Sequence, residues 1–328
     1  MSDCSEIIKV ILTHNKFLVL SHAHPDGDSI GSQLAFASVL RELGKDVLVA
    51  NQDPIPDKYL FLSGVDGVMT TIPPDYTCDV LAILDTASLK RLGSLAGQLP
   101  VKDVVMINID HHVSNDRFGH IMLVRPERSS TSEIVFELIK AMDIPLTPER
   151  AEQLYTGIVT DTGSFRHPNT TFDSFITGAS LVKSGADPSR VASALYSANS
   201  VSRMRLLGLV LSSIDVVRDV CCLTLTREMV QLSGASMDES EDFVDFPLSL
   251  KGVRVGLLFR EEGDGQIRIS FRSKEEMDVD EIARVFGGGG HESAAGCVIR
   301  GELEDVKKAV VREVFKKLEE GKEQSTRS

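Results

Sequence analysis

The sequence predicts an α/β protein: an N-terminal domain built on a doubly wound, mainly parallel sheet, and a smaller C-terminal α/β domain with a mixed sheet. Three observations predict it. Short apolar runs rich in β-branched residues recur at 17–20, 80–84 and 104–109, and each stops on polar or acidic residues, as buried parallel strands do where they open into loops. Patterns of helical period alternate with these runs, the order of successive βαβ units. Near residue 200 the texture changes to strands of alternating polarity, two of them joined by Glu261-Glu262-Gly263-Asp264-Gly265, a hairpin signal.

The first element is an amphipathic helix over 6–14, with Ile7, Ile8, Ile11 and Leu12 on one side. Strand 17–20 leads into His22-Ala23-His24-Pro25-Asp26-Gly27-Asp28, and a helix of small residues from 29 to 43 closes at Gly44. A strand at 47–49 precedes a loop marked by Pro54 and Pro56. The strands at 80–84 and 104–109 end on Asp85 and Asp110. Ser130-Thr131-Ser132-Glu133 has the spacing of a capping box for a helix through Met142. Thr147-Pro148 starts another helix, with proline in its first turn, that runs to Asp161. Helices at 171–184 and 188–197 complete a domain over 1–198, and a linker helix covers 199–213. In the second domain, 214–320, strands are expected at 216–226, 253–260 and 266–273, a short helix at 280–286, and a last helix at 303–318. Residues 321–328 read as a polar, disordered tail.

Apolar residues make up 42% of the 328 and charged residues 25%, an ordinary soluble globular composition with length enough for two cores. No run approaches the ~18 consecutive apolar residues of a membrane span, and no basic, apolar, small-residue leader opens the chain. The five cysteines (Cys4, Cys78, Cys221, Cys222, Cys297) form no C-x-x-C pair, so a reducing cytoplasm is expected, without a zinc ribbon or disulfide frame. A net charge of −13 argues against wrapping long duplex nucleic acid by counterion release. It leaves room for a small phosphorylated substrate in one locally positive or metal-filled pocket.

Function turns on Asp110-His111-His112. Open α/β sheets place ligands at the carboxyl ends of their strands, and two imidazoles with a carboxylate there can ligate a metal, position a phosphate, or do both. A polar turn after a strand is the plain alternative, and the other strand ends decide against it. Asp26 and Asp28 are spaced to face two adjacent cations, although Asp28 could simply cap the helix from Ser29. Asp85 reads as a bridging ligand or as another cap. Asp161 ends a helix, where a carboxylate opposes the dipole and a compensating cation is implied. A rival pairs His22 with His24 as ligands of another hydrolase class, but leaves Asp28, Asp85 and the histidine pair without a purpose. Four aspartates (Asp26, Asp28, Asp85, Asp161) with imidazoles favour Mn²⁺-like ions over thiolate-bound zinc. Two such ions ~3.5–4 Å apart would activate water and clamp a phosphoester.

In the second domain, Arg268 and Arg272 alternate with Ile267, Ile269 and Phe271, so they share one sheet face. Arg254 and Arg260 share parity on the partner strand. Guanidinium forks bind phosphate bidentately; ordinary surface arginines are the alternative, favoured for Arg254 and Arg268. Gly287-Gly288-Gly289-Gly290 lets backbone approach a phosphate and offers N–H groups as a nest, or else forms a hinge. No Gly-Lys-Ser/Thr follows, so it is not an ATP-type P-loop.

His22-x-x-Pro25-Asp26-x-Asp28, Asp85, Asp110-His111-His112 and Asp161 resemble the four motifs of the DHH phosphoesterases, and Gly287-Gly288-Gly289-Gly290-His291-x-x-Ala294-Ala295-Gly296 resembles the glycine–histidine signature of the DHHA1 domain. The likeness covers nearly the whole chain. Asp110-His111-His112-x-x-Asn115 and Ile269-Ser270-Phe271-Arg272-Ser273 are similar to the oligoribonuclease/pAp-phosphatase, NrnA-like branch.

The resemblance implies that His22, Asp26 and Asp85 hold one Mn²⁺, and that Asp28, Asp85, His111 and Asp161 hold a second, with Mg²⁺ or Co²⁺ as substitutes. It makes His112 the catalytic group at the scissile phosphate or leaving oxygen, and Asp110 the carboxylate that orients the histidines. Asn115, Arg260, Arg272, Ser273, Gly288, Gly289, Gly290 and His291 are the implied substrate contacts. The implied activity is hydrolysis of very short RNA to mononucleotides and of 3′-phosphoadenosine 5′-phosphate (pAp) to AMP, with no membrane or long-duplex partner and with a homodimer compatible. Linear or cyclic dinucleotide cleavage, a longer single-strand exonuclease activity, and nucleotide sensing without turnover are the rivals.

Overall fold

The alternation of β1 (Lys16–Leu20) sends Phe17 and Val19 to one face of a sheet and Leu18 and Leu20 to the other, and all four are fully buried. A strand apolar on both faces needs cover on both sides. In the computed structural model, which describes residues 4–100, 104–197, 199–274 and 277–325, that cover is present. Phe17 and Val19 join Val80, Ala82, Leu84, Ile107 and Ile109 beneath α1 (Cys4–Thr13), α2 (Gly27–Glu42) and α3 (Thr131–Ala141). Leu18, Leu20, Leu81 and Ile83 pack instead on Leu92 and Leu95 of a 3₁₀ segment, Leu89–Gln98. Truncating Phe17 to Ala would cost about 3–5 kcal/mol by this burial.

The remaining strands are β2 (Asp46–Ala50), β3 (Val68–Met69), β4 (Val80–Leu84), β5 (Val105–Asp110) and β6 (Ile121–Val124). They form a six-stranded, wholly parallel sheet in the order β3-β2-β1-β4-β5-β6. The chain leaves β1 toward β2 and returns on its other side at β4, so the strand order reverses between β1 and β4. Ligands of open α/β sheets bind outside the carboxyl ends at such a switch point. His22 follows β1, Asp85 follows β4 and Asp110 ends β5, which puts the chemistry-bearing residues at one sheet edge. Helices α4 (Pro148–Asp161), α5 (Phe172–Lys183) and α6 (Pro188–Tyr196) complete this unit.

The chain divides into two compact units, Met1–Ala198 and Asn199–Ser328. In the second, α7 (Val201–Leu211) buries Leu206, Leu207 and Val210 against Leu223, Leu225 and Phe243. The sheet contains β7 (Asp215–Val217), β8 (Val220–Leu225), β9 (Val255–Gly263), β10 (Gln266–Ser273), β11 (Gly289–His291) and β12 (Ala294–Arg300). Its order is β11-β12-β10-β9-β8-β7, and only β8 and β9 run parallel. Helices α8 (Arg227–Ser233), α9 (Val279–Val285) and α10 (Leu303–Ser325) pack around it.

Several sequence expectations need correction. The strand expected over 216–226 is two strands, because Arg218 adopts φ 55° and turns the chain back into an antiparallel pair. The helix expected from Ser29 begins at Gly27, and Asp26 rather than Asp28 caps it, accepting the N–H groups of Asp28 (3.1 Å) and Ser29 (3.0 Å). The capping box at Ser130 is half formed: Ser130 accepts the Glu133 N–H, whereas the Glu133 carboxylate turns to the backbone and hydroxyl of Ser129. The tail stays helical to Ser325, and 326–328 lie outside the described residues. Strands β3, β6, β11 and β12 and helix α8 are not among the elements expected from the sequence. Among the described residues no helix is long and apolar enough to cross a membrane.

Candidate metal centre

Each candidate ligand reaches the sheet edge through a local device. Asp85 takes φ 52°, a conformation that L residues adopt at a cost, and so leaves β4 in a sharp turn with its carboxylate buried. His22 lies 2.8 Å through Nδ1 from the Ala23 carbonyl, which fixes Nδ1 as donor and leaves Nε2 to face the acids. Asp28 sits in the first turn of α2 and is 1% exposed. A Cβ at Gly157 would lie 2.7 Å from its Oδ1, so only glycine on α4 leaves space for that carboxylate.

The donors converge in three overlapping groups whose ligand atoms lie within 4.8 Å of one another: His22, Asp26, Asp85; Asp28, His111, Asp161; and Asp85, His111, His112. His22 Nε2 is 3.4 Å from Asp85 Oδ2 and 3.9 Å from Asp26 Oδ1. His111 Nε2 is 3.6 Å from both Asp85 Oδ1 and Asp161 Oδ2. The 3.4 Å contact is at the outer limit of a hydrogen bond, and the others lie beyond it. Neighbouring and opposite ligands of an octahedral ion with bonds near 2.1 Å stand roughly 3–4.2 Å apart, so the spacing fits a cation between the donors.

The electrostatics fit a cation as well. Among the described residues, no lysine or arginine pairs with Asp26, Asp28, Asp85 or Asp161. Burial, then the charges of Asp85 and Asp161, push Asp28 well above the usual carboxylate range. Burial, then Asp85, push Asp161 up to about 8. Burial alone would lower His22, but the hydrogen bond and charge of Asp85 raise it to about 9, so a proton on Nε2 stands where a cation would serve. Burial alone would raise Asp85, yet His22, His111 and His112 together hold it below the usual range. Crowded buried carboxylates of this kind call for a positive charge.

His112 faces the same edge from behind. Its Nδ1 is 2.7 Å from Oδ1 of the fully buried Asp110, and Asn115 Nδ2 donates to Asp110 Oδ2 and to Asn108 Oδ1. As placed, Asn115 thus serves Asp110. Burial lowers the His112 pKa, and the Asp110 hydrogen bond more than offsets it. His24 stands apart from this group: its side chain is 90% exposed beside Asp53, which leaves the His22–His24 rival without geometric support.

The second unit's candidates are engaged within it. Arg272 Nε donates to Asp245 Oδ1 at 2.9 Å, Arg260 pairs with Glu262, and the Ser273 hydroxyl donates to the Met277 carbonyl. Gly288 and Gly290 are explained by close backbone approach to β12, since Cβ atoms there would meet the carbonyls of Gly296 at 2.2 Å and Ala294 at 2.4 Å. The Gly290 N–H donates to Asp280 Oδ1, and Gly289 has open room except for that same oxygen at 3.4 Å. The His291 side chain lies outside the described residues. Residues that sequence reasoning missed are Thr131, whose hydroxyl donates to Asp85 Oδ1 at 3.0 Å, Ser132, Gly157 and Asn169, which donates to Asp161 Oδ2 at 3.2 Å.

The models of the DHH family, N-terminal domain, and of the DHHA1 domain match residues 16–158 and 226–320. The chain is 32% identical to the bifunctional oligoribonuclease and PAP phosphatase NrnA of Thermus thermophilus, over 96% of this chain and 93% of that one. It is 28% identical to the protein of the same name from Bacillus subtilis, over 90% and 93%. The crystal structure of an exopolyphosphatase-related protein from Bacteroides fragilis superposes with a TM-score of 0.87 at 31% identity, covering 95% of each chain. With both domain matches in order and relatives alike along almost their full length, the chain belongs to the DHH family, in the group whose members join a DHH domain to a DHHA1 domain.

Proposed function

We propose that the protein is a metal-dependent phosphoesterase that hydrolyses short oligoribonucleotides to mononucleotides and pAp to AMP. The observation that carries the reading is the chain of three overlapping donor groups, linked through Asp85 and His111, whose metal-candidate aspartates pair with no lysine or arginine among the described residues. The relatives named oligoribonuclease and PAP phosphatase support the substrate class.

In this reading His22, Asp26 and Asp85 hold one divalent cation, and Asp28, Asp85, His111 and Asp161 a second. When bound, such ions neutralise phosphate oxygens and lower the pKa of a water; oxygen-rich donors with imidazole suit Mn²⁺, with Mg²⁺ or Co²⁺ as substitutes. The chain's own residues do the rest. Asp110 fixes the Nδ1 side of His112, so Nε2 is left to address the scissile phosphate or its leaving oxygen. Thr131 and the first-turn amides of α3 hold Asp85 and Asp28 in place. Arg260, Arg272, Ser273, Gly288, Gly289, Gly290 and His291 remain the proposed contacts for the rest of the substrate. Few phosphates need accommodating, which reconciles the substrate with a chain of net charge −13.

The test is Mn²⁺-dependent hydrolysis of 5′-phosphorylated diadenylate, pAp, cyclic di-AMP and a long single-stranded RNA, with His111→Ala as control. Preference for the short linear substrates, lost in the control, is the expected result. Dominant cleavage of the cyclic dinucleotide would move the protein to second-messenger turnover, and binding without cleavage would make it a sensor.

A further inference from the structure

Beside Asp26 and Asp161 lies a cavity of about 250 Å³, walled by Lys58, Tyr59, Leu195 and Tyr196. Three features suggest that it is built for a ligand. Tyr196 is half exposed, and its hydroxyl lies 2.7 Å from Ser164 Oγ. Ser164 gets there through a costly turn: Gly163, Ser164 and Phe165 follow one another at φ 53°, 61° and 60°. Left-handed non-glycine residues are strained and cluster at functional sites. The turn is anchored at its far end by Phe165 stacked on Phe175, with ring centroids 5.0 Å apart. Third, Lys58 lies at this cavity with its ammonium 5.1 Å from the centre of the Tyr59 ring, and it pairs with no carboxylate among the described residues.

We infer that this cavity takes the nucleoside attached to the scissile phosphate, with its base on the Tyr196 ring and the next phosphate outward on Lys58. Aromatic faces accept any base by stacking, whereas a lysine supplies a point charge for phosphate. Pockets that enclose drug-sized ligands hold roughly 300–1,000 Å³, so a cavity of about 250 Å³ is on the scale of a single nucleoside. The inference rests on the phosphoesterase reading above for the position of the scissile phosphate, and on the first unit alone for its geometry.

Two measurements test it on the full chain. The first is kcat and KM with Mn²⁺ for 5′-phosphorylated diadenylate and for p-nitrophenyl phosphate, in wild type, Tyr196→Ala, Tyr196→Phe and Lys58→Ala. The second is AMP binding by isothermal titration in the same proteins. Tyr196→Ala should raise the diadenylate KM and the AMP Kd about tenfold, with Tyr196→Phe restoring most of the loss. Lys58→Ala should raise the diadenylate KM several-fold and flatten its salt dependence. Selectivity for diadenylate over p-nitrophenyl phosphate should fall in step. Equal losses on both substrates, or an unchanged KM and Kd in both alanine variants, overturn the site. A wild type that turns over neither substrate overturns the phosphoesterase reading, and the AMP titration then decides the cavity by itself.

Discussion

The carboxylate of Asp28 accepts the backbone N–H of Thr131 at 2.6 Å across 103 residues of chain, and its other oxygen accepts that of Ser132 at 2.8 Å. The first turn of α3 therefore points its unsatisfied N–H groups, and the positive end of its dipole, at the candidate metal centre. One side chain joins α2 to α3 and supplies a donor to the site. Its structural and chemical roles cannot be separated by deleting it.

Asp28→Ala should accordingly lose two things at once. Metal-dependent turnover should vanish, and the stability of the chelator-treated protein should fall by about 1–3 kcal/mol because buried N–H groups lose their acceptor. Denaturant unfolding of the chelated variant checks the second loss. A variant as stable as wild type would mean that the α3 amides find other partners.

Asp161 presents the opposite case, because among the described residues only Asn169 donates a hydrogen bond to its carboxylate. Its pKa is raised from 3.8 to about 8, and that of His22 from 6.5 to about 9. Both contributions favour the fold fully below the unfolded pKa and fade as pH rises through the folded one. Asp85, held low, acts in the other direction only in acid, where falling pH protonates it. The melting temperature of the chelated protein should thus fall between about pH 5 and pH 9, and Mn²⁺ should raise it again at the alkaline end, by a stabilisation of about 2.7 kcal/mol at a hundredfold excess over Kd. Asp161→Asn should flatten the slope and weaken the Mn²⁺ response. A melting temperature flat across that range would sink the account.

How much of this was legible beforehand depended on the range of the interaction. Asp85 and Asp110 could be placed because apolar runs stop on them, and the switch point turns strand ends into a site. Spacing offered Asp28 as the helix cap, and the structure gives that place to Asp26; the contact with Thr131 and Ser132, which decides what Asp28 does, spans half the unit. Nothing in the sequence marks Gly157 within its helix; only the packing of Asp28 against it shows why glycine stands there. The four glycines read as a phosphate nest, yet two of them answer to β12, a strand that the sequence pattern did not reveal. Residues 121–124 were passed over for the same reason, being a run too short to stand out from its loop.

Asp110 offers a test of positioning. It is fully buried and bonded to His112 Nδ1 and Asn115 Nδ2, so it reaches substrate only through the histidine. Asp110→Asn should lower kcat about 10–100-fold while KM changes little, the usual consequence of disturbing the partner of a working imidazole. Asn115→Ala should show a smaller loss of the same kind. If KM rose and kcat held, Asp110 would be acting on substrate binding instead.

Inside the second unit, Asp245 would compete with substrate for the Arg272 guanidinium. Arg272 is bonded to Asp245, and the proposed role in gripping phosphate requires that guanidinium to leave its partner. Arg272→Ala should therefore raise the KM for pAp at least tenfold, and Arg272→Lys should recover little, because an ammonium cannot reproduce the fork. Asp245→Asn should act the other way by freeing the guanidinium. The pair is part-exposed, and such pairs contribute at most about 1 kcal/mol, so the fall in KM should not exceed about fivefold. Steady-state kinetics on pAp at two salt concentrations would separate the effects, since the gain in Asp245→Asn should shrink as salt screens the pair. An Arg272→Ala variant with wild-type KM would instead leave Arg272 as a purely internal partner of Asp245.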